Sequence, residues 1–511
     1  MFKTVKMSLA DMLGSEYTRA VSGAAKELLG IDAARAAALI HEEIDFLPEK
    51  RIEKVDKLLA SVGSAFLPSF DNDNKGATTQ AYESASNLQA SPLGGVGCLR
   101  LGQDGKLYLA AKSEHYQSSL GHNFAGYKLI DKARELGIVN ATHNNTRGYI
   151  TRFAETEIIR TINGLAREQD AELERVIASK EPKVLNRVLN LETGSLACEA
   201  ALKMMFTRFY KIDKTFPERK YAGKKPVFLV IADNRGGREA NYHGTTMIAQ
   251  TFRDLWPELL ESFQSAYEVV PVKINDIEDF RVKMDRYNQA GYKTAGFIHE
   301  IVLMNYGGIS LTKDFLQEAY RLCAEFDTPT MADEIQSCMW YSGLYLFRHY
   351  GLKPDFVILG KGFSGGESPA SKVVTTYEMD SLNQFGALVT NGQEELASLA
   401  YLITMEFVQQ NGAEIDRIGA KLDALGARFI AKYPEKIARI EGRGHLVAIH
   451  FREIDQAVAF TKRLNRLCID TSSQTYKANC PPAALFKLPV IASDAVVDFL
   501  YEKMAMVLEE L

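Results

Sequence analysis

Between residues 184 and 360 the chain alternates strand-like apolar runs with helical ones, and this alternation constrains the fold more than any other feature. The strand candidates are 184–191, 227–232, 267–272 (YEVVPV), 294–301 (TAGFIHEI), 328–334 (TPTMADE) and 355–360 (DFVILG). Helical stretches separate them. The clearest places Phe315, Leu316, Ala319, Leu322, Cys323 and Phe326 on one stripe at helical period. Such alternation predicts an open, mostly parallel α/β sheet.

The flanking regions read differently. Residues 1 to 65 have helical apolar spacing in SGAAKELLG and KRIEKVDKLLASVG, and 70–95 are small and polar, as in a linker or extended arm. Beyond 395 a long helix (ELASLAYLITMEFVQQ) leads to a strand (HLVAIHF) and a closing amphipathic helix (DAVVDFLYEKMAMVLEEL), a smaller α+β unit. The expected organisation is a helical extension and linker over 1–94, a large α/β domain over 95–395 with 95–120 contributing to the small domain, and a small domain over 396–511. The charged run 160–182 reads as a solvated helix face. No repeat of 20–50 residues is visible.

Bulk properties narrow the function classes. A chain of 511 residues, 46% of them hydrophobic, can bury more than one core. The net charge of −5 and the absence of long basic runs argue against nucleic acid as a partner. No apolar run is long enough to span a bilayer, and MFKTVKMSLADML carries Asp11 in its apolar stretch, so no signal peptide is read there. Six cysteines without a CxxC pair fit a reducing cytoplasm. Nine histidines without HxH or HExxH give no expectation of a metal site.

Ligands of open α/β sheets bind at the carboxyl ends of the strands, so the polar residues there are the informative ones. Thr193-Gly194-Ser195 follows the first strand and opens a helix, exposing backbone N–H groups suited to an anion. Tyr242-His243-Gly244 follows the second, Glu300 the fourth and Asp333-Glu334 the fifth, with Gln336 close behind. The sixth strand delivers Lys361 between Gly360 and Gly362. Each feature alone has an ordinary explanation: a solvated loop lysine, a helix start, a core tyrosine, a capping acid. Together they supply an imine-forming amine, a carboxylate for a pyridine nitrogen, an aromatic plate and a phosphate cradle. Pyridoxal 5′-phosphate needs all four. The two glycines let cofactor and backbone approach closely.

Over residues 95–511 the sequence resembles the class III aminotransferases, the ornithine and 4-aminobutyrate group. DGKLYLAAKSEHYQSSLGHN is similar to that family's DGxxYLD…GH segment, NLETGSLACEAALKM to its phosphate motif and NYHGTT to its aromatic-His-Gly-Arg-Thr motif. MADEIQS…GLYLFRHYGLKPDFVILGKGFSGG resembles the central signature and is the specific part. The resemblance implies fold type I, the pyridoxal-phosphate-dependent transferase fold, and an aminotransferase moving an amino group between an amine or amino acid and a keto acid or aldehyde. It implies that Lys361 is the Schiff-base lysine and proton shuttle, and Asp333 the partner of the pyridine nitrogen. Gln336 would lie near the cofactor's 3-oxygen and Tyr242 would stack on the ring. His243 belongs to the same motif as Tyr242, and Gly194 and Ser195 to the phosphate loop, while Glu300 stands where the family has the Glu of Glu-Pro. VTNGQEELA resembles T-x-G-G-N-P-L, which implies that Thr390 reaches the cofactor of a partner subunit in a homodimer; Glu394-Glu395 replaces Asn-Pro. Lys372 is a rival amine but falls in a following strand.

The chain departs from the family pattern on the substrate side. Relatives that use glutamate place an Arg before a Pro-Pro-Leu-like stretch, where it pairs with a carboxylate. Here that region reads NCPPAALFKLPVIAS, with Lys487 but no arginine after Arg466. The Glu that relatives carry five residues after Glu300 is Asn305. One expectation is drift, or an Arg supplied from elsewhere, such as Arg147, Arg152, Arg235 or Arg238. The other is an enzyme that does not handle glutamate in the usual way. The same cofactor could also serve a racemase, mutase, lyase or decarboxylase. A non-enzymatic binding protein on the same fold is disfavoured by the intact Lys361–Asp333 set.

Overall fold

The computed structural model describes residues 1–70, 76–87, 89–112, 117–369, 371–475 and 479–511. Part of the 70–95 stretch, and 113–116 of the DGKLYLAAKSEHYQSSLGHN segment, lie outside the described residues.

The expected sheet is present. Its strands are β1 (Leu185–Leu191), β2 (Lys225–Ile231), β3 (Glu268–Val272), β4 (Tyr292–His299), β5 (Thr330–Asp333), β6 (Phe356–Gly360) and β7 (Ser371–Thr376). They lie in the order β1-β7-β6-β5-β4-β2-β3. Only β7 is antiparallel to its neighbours, with Gly360 opposite Ser371 on one side and Leu191 opposite Ser371 on the other. The carboxyl ends of β1, β2, β4, β5 and β6 therefore share one edge of the sheet. Alternate residues feed two cores. Val227, Leu229, Ile231, Val357 and Leu359 enter one; Phe228, Val230, Phe356 and Ile358 enter the other, against the helix Gly194–Phe206. Burial on both faces is why these strands read as unbroken apolar runs.

The C-terminal unit is a four-stranded antiparallel sheet in which Leu446–Phe451 lies between Ile437–Arg443 and Ala483–Lys487, with Ser472–Ser473 at the edge. Helices Ile454–Arg466 and Asp494–Glu509 share its core. Upstream, Leu109 bridges to Ile469 and Lys112 to Lys487, tying the 107–112 segment to this sheet.

The N-terminal region is helical over Ser15–Leu29, Ala33–His41 and Glu49–Leu58, and a short strand pair, Lys6–Met7 with Ile44–Asp45, ties its ends together. Polar 70–95 is not wholly a linker: Gln80–Ala85 is helical, and Pro92–Val96 starts a three-stranded meander. The run 160–182 holds two helices' parts, the end of Tyr149–Ile162 and all of Asp170–Ala178.

Helix Glu395–Gln410 is buried along most of its length and packs on Tyr149–Ile162. Buried Glu395 explains the junction. Its carboxylate accepts hydrogen bonds from Ile150 N (2.8 Å), Thr151 N (3.2 Å) and Thr151 Oγ1 (2.7 Å), capping the partner helix. A negative charge at a helix N-terminus satisfies N–H groups that have no partner within the helix. Among the described residues, no helix is long and apolar enough to cross a membrane.

Candidate active site

The carboxyl ends of β1, β2, β5 and β6 lead into one cavity of ≈ 210 Å³. Of the residues singled out above, Gly194, Ser195, Tyr242, His243, Asp333 and Lys361 line it.

The anion-suited corner is built from two touching loops. Thr193 caps the helix Gly194–Phe206, and Ser195 Oγ accepts from Thr245 N at 3.0 Å. A Cβ on Gly194 would fall 2.7 Å from Ile335 Cδ1. One on Gly244, whose φ is +118°, would fall 2.5 Å from Ser195 Cα. Gly244 is needed because the Ser195 backbone meets it there at a positive φ, and Gly194 leaves room for the Ile335 side chain.

At the end of β5 the Asp333 carboxylate accepts three hydrogen bonds. Oδ1 accepts from Ile335 N (3.1 Å); Oδ2 accepts from His243 Nδ1 (2.8 Å) and from the Cys198 thiol (3.5 Å). Because an ionised carboxylate only accepts, His243 carries its proton on Nδ1. Burial and the neighbouring Asp333 charge push the Cys198 thiol well above its ordinary pKa.

Lys361, half-buried, follows β6 with φ +46°, a left-handed conformation that costs a lysine energy. The next residue holds it there. Gly362 accepts from Ser119 Oγ at 2.6 Å, and a Cβ at this position would run into the Trp340 ring.

Three of the singled-out residues do not line the cavity. Glu300 is buried just past the end of β4. Gln336 is buried and accepts from Lys487 Nζ at 3.2 Å. Thr390 is exposed, and its carbonyl accepts from Gln393 Nε2 at 3.4 Å. The rival Lys372 turns elsewhere: its amine donates to Gly392 O (3.0 Å) over the Tyr401 ring (4.8 Å). Burial lowers its pKa to about 8 against the opposing pull of Glu155 and Glu394.

The substrate-side departures also have a geometry. Lys487 is 0% exposed and places its ammonium 3.8 Å from the Trp340 ring centroid, the ring that also backs Gly362. Lys112, beside it, donates to Ser472 Oγ. The candidate arginines are engaged elsewhere: Arg147 with Glu155 (3.4 Å) and Arg238 with Asp254 through Nε (2.6 Å), and Arg152 donates to Arg147 O (2.9 Å). None of these, nor Arg235, is among the described residues lining the cavity.

Sequence reasoning missed Cys198 and Ile335. Cys198 lies one helical turn past Gly194, and that spacing from a cradle glycine was the available signal. Ile335 follows the Asp-Glu pair directly and lines the cavity with Tyr242.

Comparison with known proteins places the chain in a family. The family model described as Aminotransferase class-III matches residues 97–474. Among solved structures, the ornithine aminotransferase of Toxoplasma gondii is similar with a TM-score of 0.66 and 20% identity, covering 86% of this chain and 94% of that one. A second structure of that enzyme (TM-score 0.65, 20% identity, 86% and 93% covered) is described as having partial occupancy of PLP at its active site. The adenosylmethionine-8-amino-7-oxononanoate aminotransferase of Methanocaldococcus jannaschii matches with a TM-score of 0.65 and 18% identity, covering 90% of this chain and 99% of that one.

Proposed function

The chain belongs to the class III aminotransferases, enzymes that transfer amino groups with pyridoxal phosphate, and we propose that Lys361 and Asp333 are the residues through which it does so. The observation that carries the assignment is their placement. They end adjacent parallel strands, register-paired through Asp333 and Ile358, and line one cavity whose far wall is the Gly194–Ser195 helix start.

The residues fit the cofactor. Gly194 and Gly244 leave a cradle that a Cβ would fill, and the Gly194–Phe206 helix begins there. Asp333 is held as an acceptor beneath the cavity by His243 and Cys198, as a partner to a protonated ring nitrogen should be. Tyr242 and Ile335 supply the walls for a flat ring. When bound, the cofactor supplies the carbonyl that takes up an amine and the ring that draws electrons from the carbon losing a proton. Lys361 provides the amine that holds it and then, freed, the base that moves that proton. His243 keeps the Asp333 carboxylate oriented.

The finer reading is a cytoplasmic homodimer in which Thr390 reaches the partner's cofactor. Three facts support it. The six cysteines are all free thiols. Thr390 stands exposed on its loop. The loop is anchored by Lys372 on Gly392 O and by Gln393 Nε2 on Asn144 Oδ1 (2.8 Å). We further read the large and small sheets as separate domains, as the sequence suggests.

Borohydride reduction of the loaded enzyme, followed by peptide mapping, tests the central assignment. The expected result is cofactor fixed to Lys361. Label on Lys372 would overturn it.

A further inference from the structure

We propose that Cys198, His243 and Asp333 form a second, mutually exclusive site in the cofactor-free chain, one for a borderline-soft divalent ion of the zinc class. The inference rests on the cavity reading above but not on the reaction assigned to it. Three potential ligand atoms, one thiol sulfur, one imidazole nitrogen and one carboxylate oxygen, lie within 4.8 Å of one another, and all three residues are buried. All three also line the same cavity, so an ion entering from it meets the set directly.

The spacing favours zinc over a hard cation. With Zn–S near 2.3 Å and Zn–N or Zn–O near 2.0–2.2 Å, the edges of a tetrahedral site are about 3.3–3.6 Å. The Cys198 Sγ to Asp333 Oδ2 separation, 3.5 Å, already has that length. The His243 Nδ1 to Asp333 Oδ2 separation is 2.8 Å, a proton-bridged distance that must open by roughly half an ångström. Calcium and magnesium take oxygen ligands, so a set with sulfur and nitrogen excludes them. The fourth position faces the cavity.

The protons balance. The thiol releases one proton to solvent. The imidazole shifts its proton from Nδ1 to Nε2, an atom that is buried and makes no hydrogen bond among the described residues. Binding a dication to a thiolate and a carboxylate leaves the site neutral. Because the ion takes up the carboxylate assigned to the ring nitrogen, ion and cofactor compete. Zinc thus holds the cofactor-free chain in a blocked state until a chelator or excess cofactor removes it.

The test uses the full chain stripped of cofactor. Zn²⁺ is titrated against a chromophoric indicator, and Co²⁺ serves as an optical probe. The expected result is one ion per chain, a near-ultraviolet thiolate-to-cobalt band, and slowed recovery of the cofactor's absorbance in zinc-treated protein, reversed by a chelator. Cys198→Ala should abolish the band and the competition, with near-ultraviolet circular dichroism confirming that it folds, whereas Cys480→Ala should retain both. The proposal is overturned if Cys198→Ala binds cobalt with the same band, if no stoichiometric ion binds, or if zinc binds without slowing cofactor uptake.

Discussion

The large-sheet wall of the cavity and the small-sheet wall behind it follow the class III pattern unequally. On the large-sheet wall, strand ends, glycines, carboxylate and amine follow the class III sequence pattern, and the Asp333 carboxylate is held by His243, Cys198 and Ile335. On the small-sheet wall the usual Arg is missing and its Glu partner is Asn305. A fully buried lysine, Lys487, sits instead against Trp340 and Gln336. Cofactor chemistry is common to the family, so the first wall has little freedom. On the second wall Lys487 lies outside the described lining of the cavity, and an ammonium gives a point charge rather than a planar fork. The difference teaches that the cofactor side keeps the family pattern while the Lys487 side departs from it.

The largest test of this contrast is on the first wall. Lys361→Ala should lower kcat by about 10⁴-fold, the upper end of what removing a general acid–base group costs, with the fold intact by circular dichroism. A variant retaining a tenth of the activity would remove Lys361 from its role. Asp333→Asn should still bind cofactor, since the amide oxygen can accept from His243, yet lose about 10²–10³ in kcat because a neutral partner no longer holds the ring proton. Near-normal turnover would contradict that.

Lys487→Met tests the second wall. Its expected signature is a raised KM for carboxylate-bearing substrates, by about tenfold, with kcat for a simple ω-amine less affected. Equal losses for both substrates would make Lys487 a packing residue only.

A smaller effect concerns stability at the foot of the first wall. Glu334 is fully buried, accepts from Phe347 N (2.6 Å) and Leu346 N (3.1 Å), and burial raises its pKa from 4.5 to about 7. Because the folded value lies above the unfolded one, its contribution is fully present below pH 4.5 and is lost as pH rises toward 7. Glu334→Gln should flatten the pH dependence of unfolding over that window, as chemical denaturation at several pH values would show. Gly362→Ala, forced against Trp340, should destabilise by about 1–3 kcal/mol, read as a lower urea midpoint.

How much was legible in the sequence follows from the same physics. Strands buried on both faces declare themselves as apolar runs, so β1 to β6 could be located to within a few residues. Lys361 and Asp333 were visible because glycines and strand ends frame them. What depends on packing between distant segments was not visible. Nothing around Lys487 indicates that its amine lies on the Trp340 ring, and Glu395, read as a flaw in the Thr390 motif, is a helix cap. Metal-ligand spacing rules look within one segment, so they pass over Cys198, His243 and Asp333, which three separate strand ends bring together. The polar 70–95 stretch hid a helix and a strand because its small residues resemble a linker in composition.

The most direct test of the account is the absorbance spectrum of the cofactor-loaded enzyme, recorded before and after adding glutamate, alanine and an ω-amine in turn. Transamination requires that a donor leave its amino group on the cofactor, so at least one compound should convert the lysine-bound band to the aminated-cofactor band, and the weak charge match at Lys487 predicts that the ω-amine does so more readily than glutamate. A loaded enzyme that turns over a substrate, yet never accumulates or passes through the aminated cofactor, would contradict the central claim.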